Sequence, residues 1–332
     1  MKRPIVRTLL KIFVVALVVG FLAFAIYKNA NQLRELEFSL SILPLLASTL
    51  LVLVSFAVQA IGWHRILRGL TPQKIKLRES SAVWFASQAA KYVPGRMMLP
   101  LVRFSLCKRV GVDIGRTTMS IYLELTMMTS SAILVFILSS IGWADEHTWQ
   151  FLAAKMGGAL APEQVKYAPL LLVALSLIGI HPRLLQWAIN LGLRLLKKGP
   201  LTIGLSYARV LLLFGWYTLA WLIYALSCVL LIKALGDIGA AQVLPIVGAF
   251  MLSWVIGFLS FITPGGIGIR EAVLTGLLTM WQFPLGIAMV AAVLCRLQWT
   301  GMELMGAALT IRYRPAPLQE IRRELDRETP QA

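Results

Sequence analysis

The chain has 332 residues, 58% of them hydrophobic and 14% charged, a balance that excludes an ordinary soluble domain of that length. Its 32 Lys and Arg against 15 Asp and Glu give a formal charge of +17, an excess that points to nucleic acid, an anionic membrane surface or orientation in a bilayer. The basic residues fall between long apolar runs and no RNP-like, finger-like or helix-turn-helix pattern is present, which argues against nucleic acid. Cys107, Cys228 and Cys295 form no CxxC pair, and His64, His147 and His181 lack metal-ligand spacing, so no disulfide, metal or cofactor is expected.

A membrane span needs about 20 mostly apolar residues. In chain order 9–27, 40–62, 117–142, 165–181, 207–232 and 285–310 meet this, the fourth most weakly. The first is alternatively a signal peptide, since Lys2 to Lys11 precede an apolar run ending in Ala23-Phe24-Ala25. With a cytoplasmic N-terminus, the inside stretches carry 23 of the 32 Lys and Arg (2–11, 65–78, 103–116, 183–209 and 312–327) and the outside ones 5. The positive-inside rule then predicts an inner-membrane protein with both termini cytoplasmic.

Two further apolar stretches are interrupted by Pro-Gly. The first runs from about 81 to 103 and contains Trp84, Lys91, Pro94, Gly95 and Arg96, with basic loops on either side that both favour the cytoplasm. From Trp84 to Val93 is ten residues, about 15 Å as helix, or half a hydrocarbon core of about 30 Å. This segment is expected to enter and return on one face. The second, about 245 to 281, contains Trp254, Pro264, Gly265, Gly266, Gly268, Arg270 and Glu271 between loops poor in positive charge, and is expected to dip in from the other face. Both share the spacing W-x9-P-G. The predicted fold is therefore all-α and polytopic: a membrane domain over 1–314 of six spanning helices plus two re-entrant hairpins in an inverted repeat, its site at the midplane between the broken helices. The competing reading is that Pro-Gly kinks two ordinary spans.

Seven ionisable residues fall in membrane segments: Lys91, Arg96, Glu124, Arg270, Glu271, Arg296 and Glu303. Each costs on the order of 2.5 to 3.5 kcal/mol at a helix centre unless paired or hydrated. Four cations against three carboxylates leave one positive charge over, which a phosphate would match; ion pairs that merely hold helices together are the alternative. Arg296, Thr300 and Glu303 share one face of the last span, and Ser120, Glu124 and Ser131 form a polar stripe on the third. Glu271 follows Arg270 at a half-helix start, where the dipole and free N–H groups favour an anion, and Gly265, Gly266 and Gly268 admit a headgroup to the backbone. Between the fourth and fifth spans, Arg183, Gln186, Asn190, Arg194 and Lys197 recur opposite Leu184, Trp187, Ile189, Leu191 and Leu195, predicting a basic interfacial helix over about 183–198. Residues 315–332 are a polar cytoplasmic tail.

The motifs Lys91-Tyr92-Val93-Pro94-Gly95-Arg96 and Pro264-Gly265-Gly266-Ile267-Gly268-Ile269-Arg270-Glu271 resemble the membrane region of lysylphosphatidylglycerol synthase and its flippase-like relatives, over about residues 40 to 310. The resemblance implies binding or translocation of a lipid, at a site inherited by Lys91, Pro94, Gly95, Pro264, Gly265, Gly266, Arg270 and Glu271. It argues against aminoacyl transfer, because the cytoplasmic transferase domain of the synthases has no counterpart among these polar stretches. The expected partners are membrane lipids, either an anionic phospholipid or a polyprenyl-phosphate-linked lipid, with Lys91, Arg96 and Arg270 as anion contacts. Rival expectations are a membrane-embedded lipid-modifying transferase and an accessory subunit of a lipid-synthesis enzyme. No GxxxxGK[ST] run is present, so movement would be ion-coupled or passive.

Overall fold

The computed structural model describes residues 40–92, 98–143, 171, 174, 178–195, 202, 204–260, 266 and 268–309. These form α1 (Ile42–Leu70), α2 (Leu77–Gln88), a 3-10 turn (Ala89–Tyr92), α3 (Met98–Arg109), α4 (Ile114–Trp143), α5 (Pro182–Leu195), α6 (Tyr207–Leu235), α7 (Ala240–Leu259), α8 (Ile269–Met280) and α9 (Leu285–Leu309), with no strand among the described residues. Helix starts follow local chemistry. Glu79 Oε2 accepts the Lys76 N–H at 3.0 Å before α2, Ser206 Oγ accepts the Arg209 N–H at 3.4 Å at α6, and Gln242 Oε1 accepts the Gly239 N–H at 2.9 Å at α7.

Among the described residues five helices are long and apolar enough to cross a membrane: Ile42–Leu70, Ile114–Ser140, Tyr207–Leu235, Ala240–Leu259 and Leu285–Leu309. Four coincide with expected spans. The expected first span, 9–27, the tail 315–332 and most of the fourth span lie outside the described residues. Two boundaries need correction. α1 runs on past residue 62, so Arg65 and Arg68 sit on its last turns, and α3 absorbs residues 98–109, so Arg103 is helical and buried instead of belonging to a cytoplasmic loop. The two interrupted segments also differ in length: α2 has 12 residues, whereas α7 has 20, about 30 Å and enough for a full crossing. The arms of each pair pack on one another, α2 on α3 and α7 on α8.

The longest seam is α1 against α6. The Ser41 N–H donates to Ala234 O at 2.9 Å, Ser48 Oγ meets Ser227 Oγ at 3.1 Å, Ser55 Oγ donates to Ala220 O at 2.9 Å, and Trp216 Nε1 donates to Val58 O at 2.7 Å. Numbers rise on one helix as they fall on the other, so the pair is antiparallel. Ser41, Ser48, Ser55, Gly62 and Gly69 recur every seventh residue, the period that keeps one stripe facing a partner. Small side chains on that stripe let the backbones approach closely. A Cβ on Gly62 would lie 3.0 Å from Trp216 Cδ1 and 3.1 Å from the Tyr217 ring. Gly62→Leu is therefore expected to destabilise the protein by about 1–3 kcal/mol through overpacking, whereas Gly215→Leu, where a Cβ meets nothing within 4 Å, is expected to be near neutral. Thermal unfolding of the detergent-solubilised chain reads both; equal midpoints would refute the close seam.

Packing repeats around this seam. The blocks α1–α4 and α6–α9 have helix lengths of 29, 12, 12 and 30 residues and of 29, 20, 12 and 25 residues. Contacts between elements are matched on exchanging the blocks: α1–α2 with α6–α7, α3–α4 with α8–α9, α1–α4 with α6–α9, α4–α7 with α9–α2, and α4–α6 with α9–α1. α5 stands apart and touches α4, with Leu185 buried and Trp187 65% exposed between the exposed Arg183 and Arg194.

Candidate functional site

The exchange pattern brings the shorter helices together around a cavity of about 290 Å³. Its walls come from α1 (Phe56, Gln59), α2 and the 3-10 turn (Trp84, Gln88, Lys91), α3 (Arg103), α4 (Glu124), α7 (Trp254, Gly257), Gly266 and α8 (Arg270), and α9 (Arg296, Trp299, Glu303). Trp residues from both halves pack around it: Phe56 lies 5.9 Å from Trp84 and 4.8 Å from Trp299, and Trp221 lies 4.6 Å from Trp254. The cavity wall is thus mainly apolar and aromatic, with the charged side chains set into it from both halves.

Among the described residues, three ion pairs organise the charges. Arg103 pairs with Glu124, which also accepts from Trp84 Nε1, and Arg103 Nε donates to Ser87 Oγ at 2.9 Å. Lys91 pairs with Glu303, whose Oε1 also accepts from Trp299 Nε1 at 2.7 Å. Arg296 Nε stands 3.6 Å from Glu271 Oε1. Glu271 Oε2 accepts the Gly268 N–H at 2.6 Å, so this carboxylate caps α8 itself and already fills part of the helix-end anion site expected from the sequence. Gly266 and Gly268 take φ values of +70° and +86°, the left-handed region that glycine enters without a Cβ clash.

Arg270 differs from the other cations. It is 5% exposed, and its Nη2 donates to Tyr224 Oη at 2.6 Å and approaches Cys295 Sγ at 3.6 Å, with the Trp299 ring centroid 5.1 Å from its Cζ. Among the described residues no carboxylate forms an ion pair with it. Lys91, Arg103, Arg270 and Arg296 thus face Glu124, Glu271 and Glu303.

Of the expected site residues, Lys91, Glu124, Gly266, Arg270, Arg296 and Glu303 line the cavity and Glu271 and Gly268 support it; Pro94, Gly95, Arg96, Pro264 and Gly265 lie outside the described residues. The sequence reading missed Arg103, Gln59, Tyr224 and Trp299. Arg103 carried no distinguishing sequence signal; its burial emerges with that of Val102, Ser105, Leu106 and Cys107 around it.

Residues 9–301 match the family model of the lysylphosphatidylglycerol synthase TM region. The chain belongs to this family. No curated protein matches it. The membership agrees with the resemblance carried by the motifs at Lys91–Arg96 and Pro264–Glu271, and together with the five long apolar helices it makes the chain a multi-pass membrane protein of a lipid-related family.

Proposed function

We propose that this protein translocates a lipid across the inner membrane, flippase-fashion, holding a phosphate-bearing headgroup in the cavity between the two interrupted helix pairs, α2–α3 and α7–α8, of an inverted repeat. The observation that carries the reading is Arg270, a buried cation lining the cavity that, among the described residues, forms no ion pair with a carboxylate. Leaving a charge uncompensated in a low-dielectric interior is costly, so a site that retains one is suited to an anionic ligand. The exchange-matched packing and the antiparallel run of the corresponding helices α1 and α6 support the inverted repeat. The excess of Lys and Arg in alternate loops supports cytoplasmic termini.

Proteoliposomes containing headgroup-labelled anionic phospholipid test the reading. The native chain is expected to speed transbilayer movement over protein-free vesicles, and Arg270→Ala to slow it at least about tenfold, from the loss of a charge-assisted hydrogen bond of about 1.5–3 kcal/mol. No acceleration by the native chain, or an Arg270→Ala rate equal to native, would sink the proposal.

A further inference from the structure

The cavity also carries polar atoms left without partners. Gln59 Oε1, Glu303 Oε2 and Arg103 Nη2 are buried with no hydrogen-bond partner among the described residues, on side chains at most 2% exposed in residues that all line the cavity. Burying such groups without partners is costly, more so when they are charged. Two of the three are acceptors, and a phosphate supplies no donor to satisfy an acceptor. Something else in the ligand must.

Resting on the anion-binding reading of the cavity, we infer that the preferred headgroup is a monoanionic phosphodiester bearing hydroxyl donors, and that headgroups carrying an ammonium are disfavoured. The phosphodiester oxygens face Arg270 and Arg103 Nη2, while hydroxyls donate to Gln59 Oε1 and Glu303 Oε2. Charge decides between hydroxyl and ammonium. Glu303 already holds the Lys91 ammonium on its other oxygen, so a second cation on Oε2 would stand beside a like charge. Gln59 Oε1 is neutral and gains no ion pair from an ammonium. Lys91, Arg103, Arg270 and Arg296 line the cavity with Glu124 and Glu303, and Glu271 offsets Arg296 from outside the lining, so among the described residues a headgroup of net charge −1 closes the balance, a zwitterion leaves it open, and an aminoacyl ester with two ammonium groups makes it worse. Phosphatidylglycerol and a polyprenyl phosphosugar both satisfy the chemistry and differ in their apolar chains.

Competitive retention of lipids by the purified full-length chain, read by native mass spectrometry, tests this without requiring transport. The probes are phosphatidylglycerol, phosphatidylmethanol, which has the same charge and no hydroxyl, phosphatidylethanolamine, lysylphosphatidylglycerol and a polyprenyl phosphoglucose. At least one hydroxyl-bearing monoanion is expected to outcompete phosphatidylmethanol about tenfold, as hydrogen bonds of this kind allow. Both ammonium-bearing lipids are expected to fall below phosphatidylmethanol. Gln59→Leu is expected to cut the tenfold preference to about threefold or less. Phosphatidylmethanol held as well as every hydroxyl-bearing lipid, or lysylphosphatidylglycerol held best, overturns the inference. Selective retention without transbilayer movement would reject translocation and keep this inference; movement of all headgroups alike would do the reverse.

Discussion

Replacing Glu124 with alanine is expected to destabilise the protein by about 3–5 kcal/mol, the loss that follows removal of one partner from a buried ion pair. Arg103 is 1% exposed and Glu124 2%, so neither charge can turn to solvent when the other is gone. Ser87 Oγ and the Trp63 ring, 4.9 Å from Arg103 Cζ, would still face the stranded guanidinium, and neither carries a compensating charge. Trp84 Nε1 loses its acceptor in the same variant. The double variant Arg103→Leu/Glu124→Leu removes both charges and is expected to recover most of the stability, because a packed apolar pair avoids the desolvation cost altogether. Thermal unfolding in detergent separates the cases. A Glu124→Ala chain as stable as native, or a double variant no better than the single, would show that the pair is not the buried unit described.

Gly266→Val is expected to cut lipid movement and headgroup retention by at least about tenfold while Gly276→Ala leaves both intact. At φ +70° a β-branched residue costs on the order of 1–2 kcal/mol in backbone strain alone. The larger effect is steric: a Cβ on Gly266 would sit 2.6 Å from the Gly257 carbonyl oxygen and 2.9 Å from its carbon, both backbone atoms that cannot rotate away. Gly257 in turn receives the Arg270 side chain, whose Cβ lies 2.9 Å from where a Cβ on Gly257 would be. Pushing these backbones apart moves Arg270 relative to Tyr224 and Trp299, and a shift of about 1 Å is enough to degrade a preorganised site. Gly276 lies on α8 with Arg270 and has nothing within 4 Å of its Cβ position, which makes it the control. Native rates in Gly266→Val would mean that the α7–α8 approach does not position Arg270.

Most of the site was legible as a charge pattern, because ionisable residues inside apolar segments are expensive enough that their presence alone marks a polar interior. Lys91, Glu124, Arg270, Arg296 and Glu303 declared themselves this way although they come from four different elements. Arg103 did not, because counting cations near a span end cannot separate a loop residue from a buried one. On α3 it is enclosed while Lys108 and Arg109, in the last turn, are exposed as loop-edge cations should be. The α1–α6 seam escaped for a different reason. Ser and Gly contribute little to hydropathy, so a stripe of small residues leaves the apolar profile of a span unchanged, and only its spacing of seven carries the information. Tyr224 was hidden in a continuous apolar run whose pairing with α8 is set by tertiary packing alone. The helix-end anion site was inferred from dipole and glycines, and the chain places its own Glu271 there.

Two of the three cavity ion pairs are internal to one block of helices: Arg103–Glu124 joins α3 to α4, and Arg296–Glu271 joins α9 to α8. Lys91–Glu303 instead ties the first block to the second. A rigid-body displacement of one block against the other would carry the two internal pairs along unbroken, and among the described ion pairs of the cavity Lys91–Glu303 is the one that such a displacement would have to stretch.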